Sequence, residues 1–144
     1  MSSMHPSIEL EQRGLRALNE ENNQLAAEIF KELTDLDPTY EHGAGFYNLA
    51  CALEELGALK EAEEAYLKAL DYEDDDTVKL GGYASFLYLH GSPEDSFEAH
   101  IKLLKVEKGF RDTKCAEGTA EILFLLGEKM GWSKEKVQKE IDGA

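Results

Sequence analysis

The sequence predicts an all-α protein built from antiparallel pairs of helices. Ala, Leu, Glu and Lys are abundant, whereas Val, Ile and Thr are sparse and only three prolines occur among 144 residues, which favours helix over strand. The hydrophobic content of 42% supports a core, and the charged content of 31% indicates a solvated surface rather than disorder. Between residues 43 and 76, apolar residues recur at helical spacing in two blocks separated by a short break. Two helices joined so closely are expected to fold back on each other.

The segment from Gly43 to Asp76 carries this pattern most clearly. Its first block places four apolar residues on one face of a helix: Phe46, Leu49, Ala50 and Leu53. Gly57 ends the block, as expected of a residue that tolerates positive φ. The second block repeats the stripe, with Leu59, Ala62, Ala65, Tyr66, Ala69 and Leu70. The small residues Ala50, Ala62 and Ala69 are predicted to mark contact lines, because helices approach closely only where side chains are short.

The same segment resembles the repeat of the tetratricopeptide repeat (TPR) family, a helix-turn-helix unit of roughly 34 residues. Seven family positions are matched in register, namely Phe46, Leu49, Ala50, Gly57, Ala62, Tyr66 and Ala69. Asp74 replaces the proline of the family pattern. The resemblance implies a right-handed α-solenoid of about three TPR helix hairpins, followed by C-terminal capping helices.

Weaker copies of the pattern flank this segment, so residues 1–144 are predicted to form a single TPR domain. The repeats are expected at about residues 7–40, 43–76 and 77–110. The first supplies Leu10, Gly14, Ala26, Phe30 and Pro38 in register, and the third supplies Leu80, Ala84, Leu87 and Gly91. In the second helix of the third repeat, Ser96, His100 and Leu103 occupy the small, aromatic and alanine positions. Ser92 and Pro93 predict the start of that helix, as a cap and a first-turn residue.

Two capping helices are predicted at about residues 111–130 and 133–142. The first carries an apolar stripe that is expected to cover the end of the third repeat: Ala116, Ala120, Leu123 and Met130. Ser133 is the predicted cap of the second, which carries Val137 and Ile141. A terminal cap is needed because each repeat leaves one apolar face for its neighbour. A decayed fourth repeat and a solvating cap both satisfy this pattern.

The sequence favours a cytoplasmic protein without a membrane segment. The longest strongly apolar run, Ile122 to Leu126, is far shorter than the ~20 residues that span a bilayer. Met1 to Ile8 lacks the basic and apolar stretches of a secretory signal. Cys51 and Cys115 lie apart from each other and from any histidine at ligand spacing, as expected of thiols in a reducing compartment.

The negative charge is concentrated in the first half of the chain. Residues 1–76 contain 19 acidic and 5 basic residues, whereas residues 77–144 contain 11 and 10, within a net charge of −15. Such a field repels phosphate backbones and anionic membranes, so neither nucleic acid nor a membrane is an expected partner. It favours a neutral or basic partner, and solubility is the alternative explanation.

No catalytic or cofactor-binding motif is recognisable, so the prediction is a non-enzyme with no metal and no cofactor. The glycines at 43, 45, 81 and 82 lack the later residues that phosphate-binding loops require. Asp71, Glu73 and Asp75 resemble a calcium loop only superficially, because Asp76 stands where the sharp turn needs glycine. Gly81-Gly82 lies inside a predicted helix. Close packing and exposure of the backbone to a ligand are the two explanations for that pair.

The family resemblance also implies a binding surface, since the first helix of each repeat lines the concave face that holds a ligand in TPR proteins. The predicted partner-binding residues are Glu11, Leu15 and Leu18 in the first repeat, Tyr47, Asn48, Cys51 and Glu54 in the second, and Ser85 and Tyr88 in the third. Further groove positions hold Asn19, Glu55, Val78, Gly81 and Leu89. This mixture predicts a peptide or protein partner that is neutral or basic and has apolar anchors. Packing against the next helix is the alternative for every one of these residues.

One subclass of the family grips the acidic carboxyl-terminal tails of heat-shock chaperones with five side chains: Lys, Asn, Asn, Lys and Arg. The corresponding positions here hold Glu11, Leu15, Asn48, Val78 and Gly82. Only Asn48 matches, and a carboxylate replaces a lysine, so the sequence argues against an acidic-tail clamp.

The leading functional hypothesis is therefore an interaction module that presents its concave groove to a protein partner. The first alternative is a small acidic chaperone of the secretion type, which holds an unfolded client. The second is a structural protein that self-associates as a homo-oligomer, because Leu125, Leu126 and Trp132 are expected to exceed what the cap can bury.

Overall fold

A computed structural model describes residues 4–144 of the chain. The described residues form eight α-helices and one 3-10 helix, with no β-strand, which confirms the predicted all-α class. The α-helices are α1 Pro6–Asn19, α2 Asn23–Leu36, α3 Ala44–Glu55, α4 Leu59–Tyr72, α5 Thr77–His90, α6 Pro93–Gly109, α7 Thr113–Lys129 and α8 Lys134–Gly143. The 3-10 helix, Tyr40–Gly43, lies between α2 and α3. Among the helices of the described part, none is long and apolar enough to cross a membrane.

The chain divides into two compact units, the first ending at Asp74 and the second comprising Asp75–Ala144. In the first unit, α1 pairs with α2 and α3 pairs with α4, while α3 also contacts α2 and α1. Ala50, Ala62 and Ala69 are completely buried, as predicted for residues on helix contact lines. The first unit thus consists of two helix hairpins, α1–α2 and α3–α4.

The turns inside these two hairpins share one geometry although their sequences differ. Gly57 has a φ of 79°, and the amide of the following Ala58 donates to the carbonyl of Leu53 at 2.9 Å. Glu21 stands at the same repeat position with a φ of 59°, and the amide of Asn22 donates to Ala17 at 2.8 Å. The left-handed conformation that ends each helix is therefore kept where the family's glycine is absent, at some cost in backbone strain.

The connection between α2 and α3 was not predicted from the sequence. Glu41, His42 and Gly43 all have left-handed backbone angles, with φ values of 47°, 55° and 91°. At Gly43 a side chain is excluded as well, because an added Cβ would lie 2.9 Å from the ring of Tyr72. Tyr72 in turn stacks on Phe46 with ring centroids 5.9 Å apart, so the turn is held against the α3–α4 hairpin.

The second unit has its own core, to which α6, α7 and α8 contribute. The core residues are Phe97, Leu104, Leu123, Leu126, Val137 and Ile141. Ala116, Ala120 and Met130 pack against this cluster from α7 and its end, which confirms the predicted capping stripe. Ser92 accepts a hydrogen bond from the amide of Asp95, and Ser133 accepts one from Lys136, each at 3.1 Å, so both predicted helix caps are present.

The expected surplus of apolar surface at the carboxyl-terminal end is wrong for Leu126. This side chain is 1% exposed, whereas its neighbour Leu125 is 50% exposed. Trp132 is half-buried and packs edge-on against Phe97, with ring centroids 4.9 Å apart. The reason is that α8 folds back against α7 and α6 and covers the side of α7 that carries Leu126. Of the three residues, Leu125 alone is left fully at the surface.

His100 occupies the aromatic position of the third repeat and is fully buried there. Its Nδ1 lies 2.8 Å from the carbonyl oxygen of Ser96, and its ring meets that of Tyr88 edge-on at 6.5 Å. Burial lowers the pKa of His100, so the ring is held in its neutral form. A neutral imidazole can thus fill an aromatic position because one nitrogen is satisfied within its own helix.

Substitution of Gly14 by Ala is expected to lower the free energy of unfolding by about 1–3 kcal/mol. An added Cβ would lie 2.6 Å from Cζ of the buried Phe30 ring, which cannot move aside. Gly118 is the matched control, because it also lies within a helix but an added Cβ would meet nothing within 4 Å. Gly118→Ala is expected to raise the free energy of unfolding by about 0.5–1 kcal/mol. Urea titrations of both variants test the opposite signs, and a stabilised Gly14→Ala variant would contradict the packing at Phe30.

Candidate functional site

The exposed face of α1 presents part of the predicted binding surface. Leu15 is 44% exposed, while Glu11 and Leu18 are half-buried. Ile8, seven residues before Leu15 and therefore on the same helix face, is 39% exposed. Ile8 was missing from the predicted site, although its spacing from Leu15 could have indicated it.

Glu11 is tied to the turn that follows α2. The hydroxyl of Tyr40 donates a hydrogen bond to Oε1 of Glu11 at 3.0 Å. Burial, together with the hydrogen bond and the charge of Glu11, raises the pKa of Tyr40 to about 12, so the phenol stays protonated and remains the donor. Glu11 therefore has a structural role in joining α1 to the 3-10 helix, whatever else it contacts.

Three predicted residues of α3 converge on Tyr66 of α4. The Tyr66 hydroxyl donates to Oε1 of Glu54 at 2.7 Å and lies 3.8 Å from the sulfur of Cys51. The ring of Tyr47 meets the ring of Tyr66 edge-on, with centroids 5.9 Å apart. Tyr47, Cys51 and Glu54 form one turn-by-turn stripe along α3, and Tyr66 connects all three of them from the neighbouring helix.

Two titratable groups of this cluster, the Cys51 thiol and the Tyr66 phenol, are kept protonated by burial. Burial raises the pKa of the Cys51 thiol, and it outweighs the hydrogen bonds to Tyr66 and Tyr47, which lower this pKa. The carboxylates of Glu54 and Glu55 add a smaller upward contribution. The pKa of Tyr66 is also raised, first by burial and then by its hydrogen bond to Glu54. A protonated thiol is a poor nucleophile, so Cys51 serves here as a small half-buried contact residue.

The α5 helix in the second unit carries the remaining predicted residues, and they differ in exposure. Ser85 is exposed, as are Val78 and Leu89 on the same side of the helix. Tyr88 is instead half-buried, with the ammonium group of Lys129 4.6 Å above its ring. Tyr88 therefore belongs partly to the core of the second unit.

The surroundings of Gly81 leave room for a larger side chain. An added Cβ at this position would meet only Cδ2 of Leu103, at an ordinary contact distance of 4.0 Å. The close-packing explanation is thus weakened for Gly81, which lies between Val78 and Ser85 on α5.

A separate groove, which we call the α2–α4 groove, lies within the first unit and has a volume of about 570 Å³. Its lining residues come from α2, α3 and α4: Ala27, Glu28, Lys31, Thr34, Asp35, Phe46, Leu49, Leu53, Glu61, Glu64, Ala65 and Lys68. The predicted partner-binding residues are not among them. This groove therefore lies away from the α1 and α3 positions chosen from the sequence.

The described residues contain no group of three or more His, Cys, Asp or Glu side chains arranged to hold a metal ion. The two cysteines of this part of the chain are free thiols, Cys51 half-buried and Cys115 exposed.

Comparison with known proteins tests the predicted family. The tetratricopeptide repeat family model matches residues 44–76, which confirms the resemblance predicted from the segment 43–76. None of the curated proteins compared with the chain matches it.

Among solved structures, the TPR2B domain of yeast Sti1, determined as a complex with pHsp70, is similar with a TM-score of 0.75 at 15% sequence identity. The similarity covers 85% of this chain and 97% of the yeast chain. At such low identity the likeness concerns the fold. The chain therefore contains a tetratricopeptide repeat at residues 44–76, and its helix pairs have the fold of a tetratricopeptide-repeat domain.

Proposed function

We propose that the protein is an interaction module that binds a peptide or protein partner through the exposed faces of the first helices of its hairpins, which the family resemblance assigns to the concave groove. The observation that carries the proposal is the exposed pair Ile8 and Leu15, which lie on one face of α1 with Glu11 between them. Apolar side chains that a unit leaves at its surface in a row are typical of a contact site for another chain. Val78 and Leu89 form a comparable exposed pair on α5.

The proposed partner is neutral or basic and has apolar anchors. Residues 1–76 have 19 acidic against 5 basic residues, so this part of the chain attracts positive charge and repels an acidic tail. The carboxylate of Glu11 stands where the acidic-tail clamps carry a lysine, and it accepts a hydrogen bond from Tyr40. Complex formation of the yeast TPR2B domain with pHsp70 is thus a property of that domain, and a different ligand chemistry is proposed for this chain.

The proposed test pairs two double variants that are matched in exposure and size. Ile8→Ser/Leu15→Ser removes apolar side chains that are 39% and 44% exposed, and Leu25→Ser/Leu67→Ser removes side chains that are 41% and 44% exposed on α2 and α4. The partner is first identified by affinity purification from the native cell and then titrated with both purified variants. We expect the first variant to weaken binding by on the order of tenfold or more, because about 1.4 kcal/mol of lost apolar contact corresponds to that factor. The second variant is expected to bind as the unmodified protein does.

Equal binding by both variants would overturn the assignment to α1. Circular dichroism verifies that the helices persist in both variants. Ile8 and Leu15 are better targets than Tyr88, because Tyr88 packs against the core of the second unit. Binding should also strengthen from high to low salt if the carboxylates contribute. The cytoplasmic location expected from the sequence is part of the same proposal, and fractionation of the native cell tests it.

A further inference from the structure

The α2–α4 groove owes its shape to the order in which three helices pack. The helix α3 contacts both α2 and α4, so its side chains form the floor between them. The floor residues Phe46, Leu49 and Leu53 are spaced at i, i+3 and i+7, which places them on one face of α3. The floor is therefore a continuous apolar strip, which extends about 10 Å along the helix at a rise of ~1.5 Å per residue.

Small residues keep the groove open on both sides. Ala27 on α2 and Ala65 on α4 are buried in its walls, where larger side chains would close the space of about 570 Å³. Helices pack with axes about 8–10 Å apart, and the shorter separations occur where the contact residues are small. The dimensions and the alanines therefore suit about two turns of another helix lying over α3.

The rim of the groove is charged and has an excess of carboxylates. Glu28 and Asp35 of α2 and Glu61 and Glu64 of α4 face two lysines, Lys31 and Lys68. The Lys31 ammonium lies 3.5 Å from a carboxylate oxygen of Asp35, and these two charges largely offset each other.

The second lysine is engaged with the floor. Lys68 holds its ammonium 5.5 Å from the centre of the Phe46 ring, at one end of the floor. Glu28 on one wall and Glu61 and Glu64 on the other then give the rim its negative sign.

We propose that the α2–α4 groove is a second docking site, which binds a basic amphipathic helix of a partner protein. Apolar side chains of that helix at i and i+3 or i+4 would lie on Leu49 and Leu53, beside the Phe46 ring that Lys68 covers. Its lysines or arginines would face Glu28 and Glu64 from opposite sides. The site is distinct from the proposed surface on α1, because no residue of that surface lines the groove. The two sites can therefore be tested independently.

The probe is a fluorescein-labelled synthetic peptide of about 18 residues, with Leu at helical spacing and Lys on both flanks of the stripe, long enough to form a helix on binding. The control peptide has the same composition in scrambled order, so that its charge is identical and its apolar stripe is lost. Anisotropy titration of the full chain is expected to give at least tenfold tighter binding for the striped peptide. Equal affinity for the two peptides, or no binding of the striped one, would overturn the proposal.

Two double variants carry the same change of charge on the same two helices. Glu28→Lys/Glu64→Lys reverses the rim, whereas Glu32→Lys/Asp71→Lys alters exposed residues of α2 and α4 outside the groove. We expect the rim variant to weaken binding of the striped peptide at least tenfold and the control variant less than threefold. Equal weakening would mean that the peptide senses only the overall negative charge, which contradicts the proposal.

Amide chemical shifts of the unmodified protein give a test that does not depend on any variant. Shifts caused by the striped peptide should cluster at Ala27, Leu53 and Ala65 and spare Ile8 and Leu15. Clustering on α1 instead would refute the site. A second copy of this chain is the other occupant to be tested, and light scattering measures whether the chain dimerises. If the unmodified chain forms a dimer that is lost in the rim variant, the groove binds a second copy and the proposed partner helix is overturned.

Discussion

Replacement of Phe30 by Ala is expected to lower the free energy of unfolding of the first unit by about 3–5 kcal/mol. Phe30 is completely buried at the aromatic position of the first repeat, and its ring lies directly against Gly14 of α1. Because Gly14 has no side chain, nothing on α1 can fill the space that the ring leaves. The loss therefore includes both the transfer free energy of the ring and the cost of a cavity.

Leu25→Ala provides the control on the same helix. Leu25 is 41% exposed, so its truncation is expected to change the free energy of unfolding by no more than about 0.5 kcal/mol. Urea titrations followed by far-UV circular dichroism measure both variants. A loss of less than about 1 kcal/mol for Phe30→Ala would contradict the tight contact between α1 and α2.

Leu126→Ala is expected to destabilise the second unit by about 2–5 kcal/mol, whereas Leu125→Ala should cost no more than about 0.5 kcal/mol. The two leucines are adjacent on α7, but Leu126 is 1% exposed and Leu125 is 50% exposed. Leu126 belongs to a cluster with Phe97, Val137 and Ile141, which joins α6, α7 and α8. Its truncation opens a cavity where three helices meet.

Trp132 offers a direct reporter for this prediction, since it is the only tryptophan of the chain and packs on Phe97. Its fluorescence should follow the unfolding of the second unit during a urea titration. The midpoint is expected to fall markedly for Leu126→Ala and to stay nearly unchanged for Leu125→Ala. Equal midpoints would mean that α8 does not cover α7 in solution.

The pattern of the sequence was sufficient for most of the helices and for the turn at Gly57. Periodic apolar residues and the caps at Ser92 and Ser133 place the helices, because these signals act within a few residues of the chain. The left-handed turn at Glu41, His42 and Gly43 was missed, since glutamate rarely adopts positive φ. Tyr72 packs beside Gly43 and Glu11 accepts a hydrogen bond from Tyr40, and both residues are distant from this turn along the chain.

The candidate site was predictable only in part. The register of the repeat indicated Tyr47, Cys51 and Glu54, but not that Tyr66 links them through its hydroxyl and ring. The register placed Tyr66 on the apolar stripe of the second helix. A position on that stripe does not indicate where the hydroxyl group of a tyrosine points. The α2–α4 groove was missed for a similar reason, because its walls come from residues that the repeat pattern treats as ordinary core and surface.

The amino-acid sequence by itself determined that the chain is all-α, that residues 43–76 form a TPR-like hairpin and where most helices begin and end. These features follow from local propensity and from the period of the apolar residues. Tertiary structure alone decided that Leu126 is buried and Leu125 is exposed, that Tyr88 is half in the core, and that a groove opens between α2 and α4. Burial of a side chain depends on which helix lies over it, and that is a property of packing between segments rather than of spacing within one.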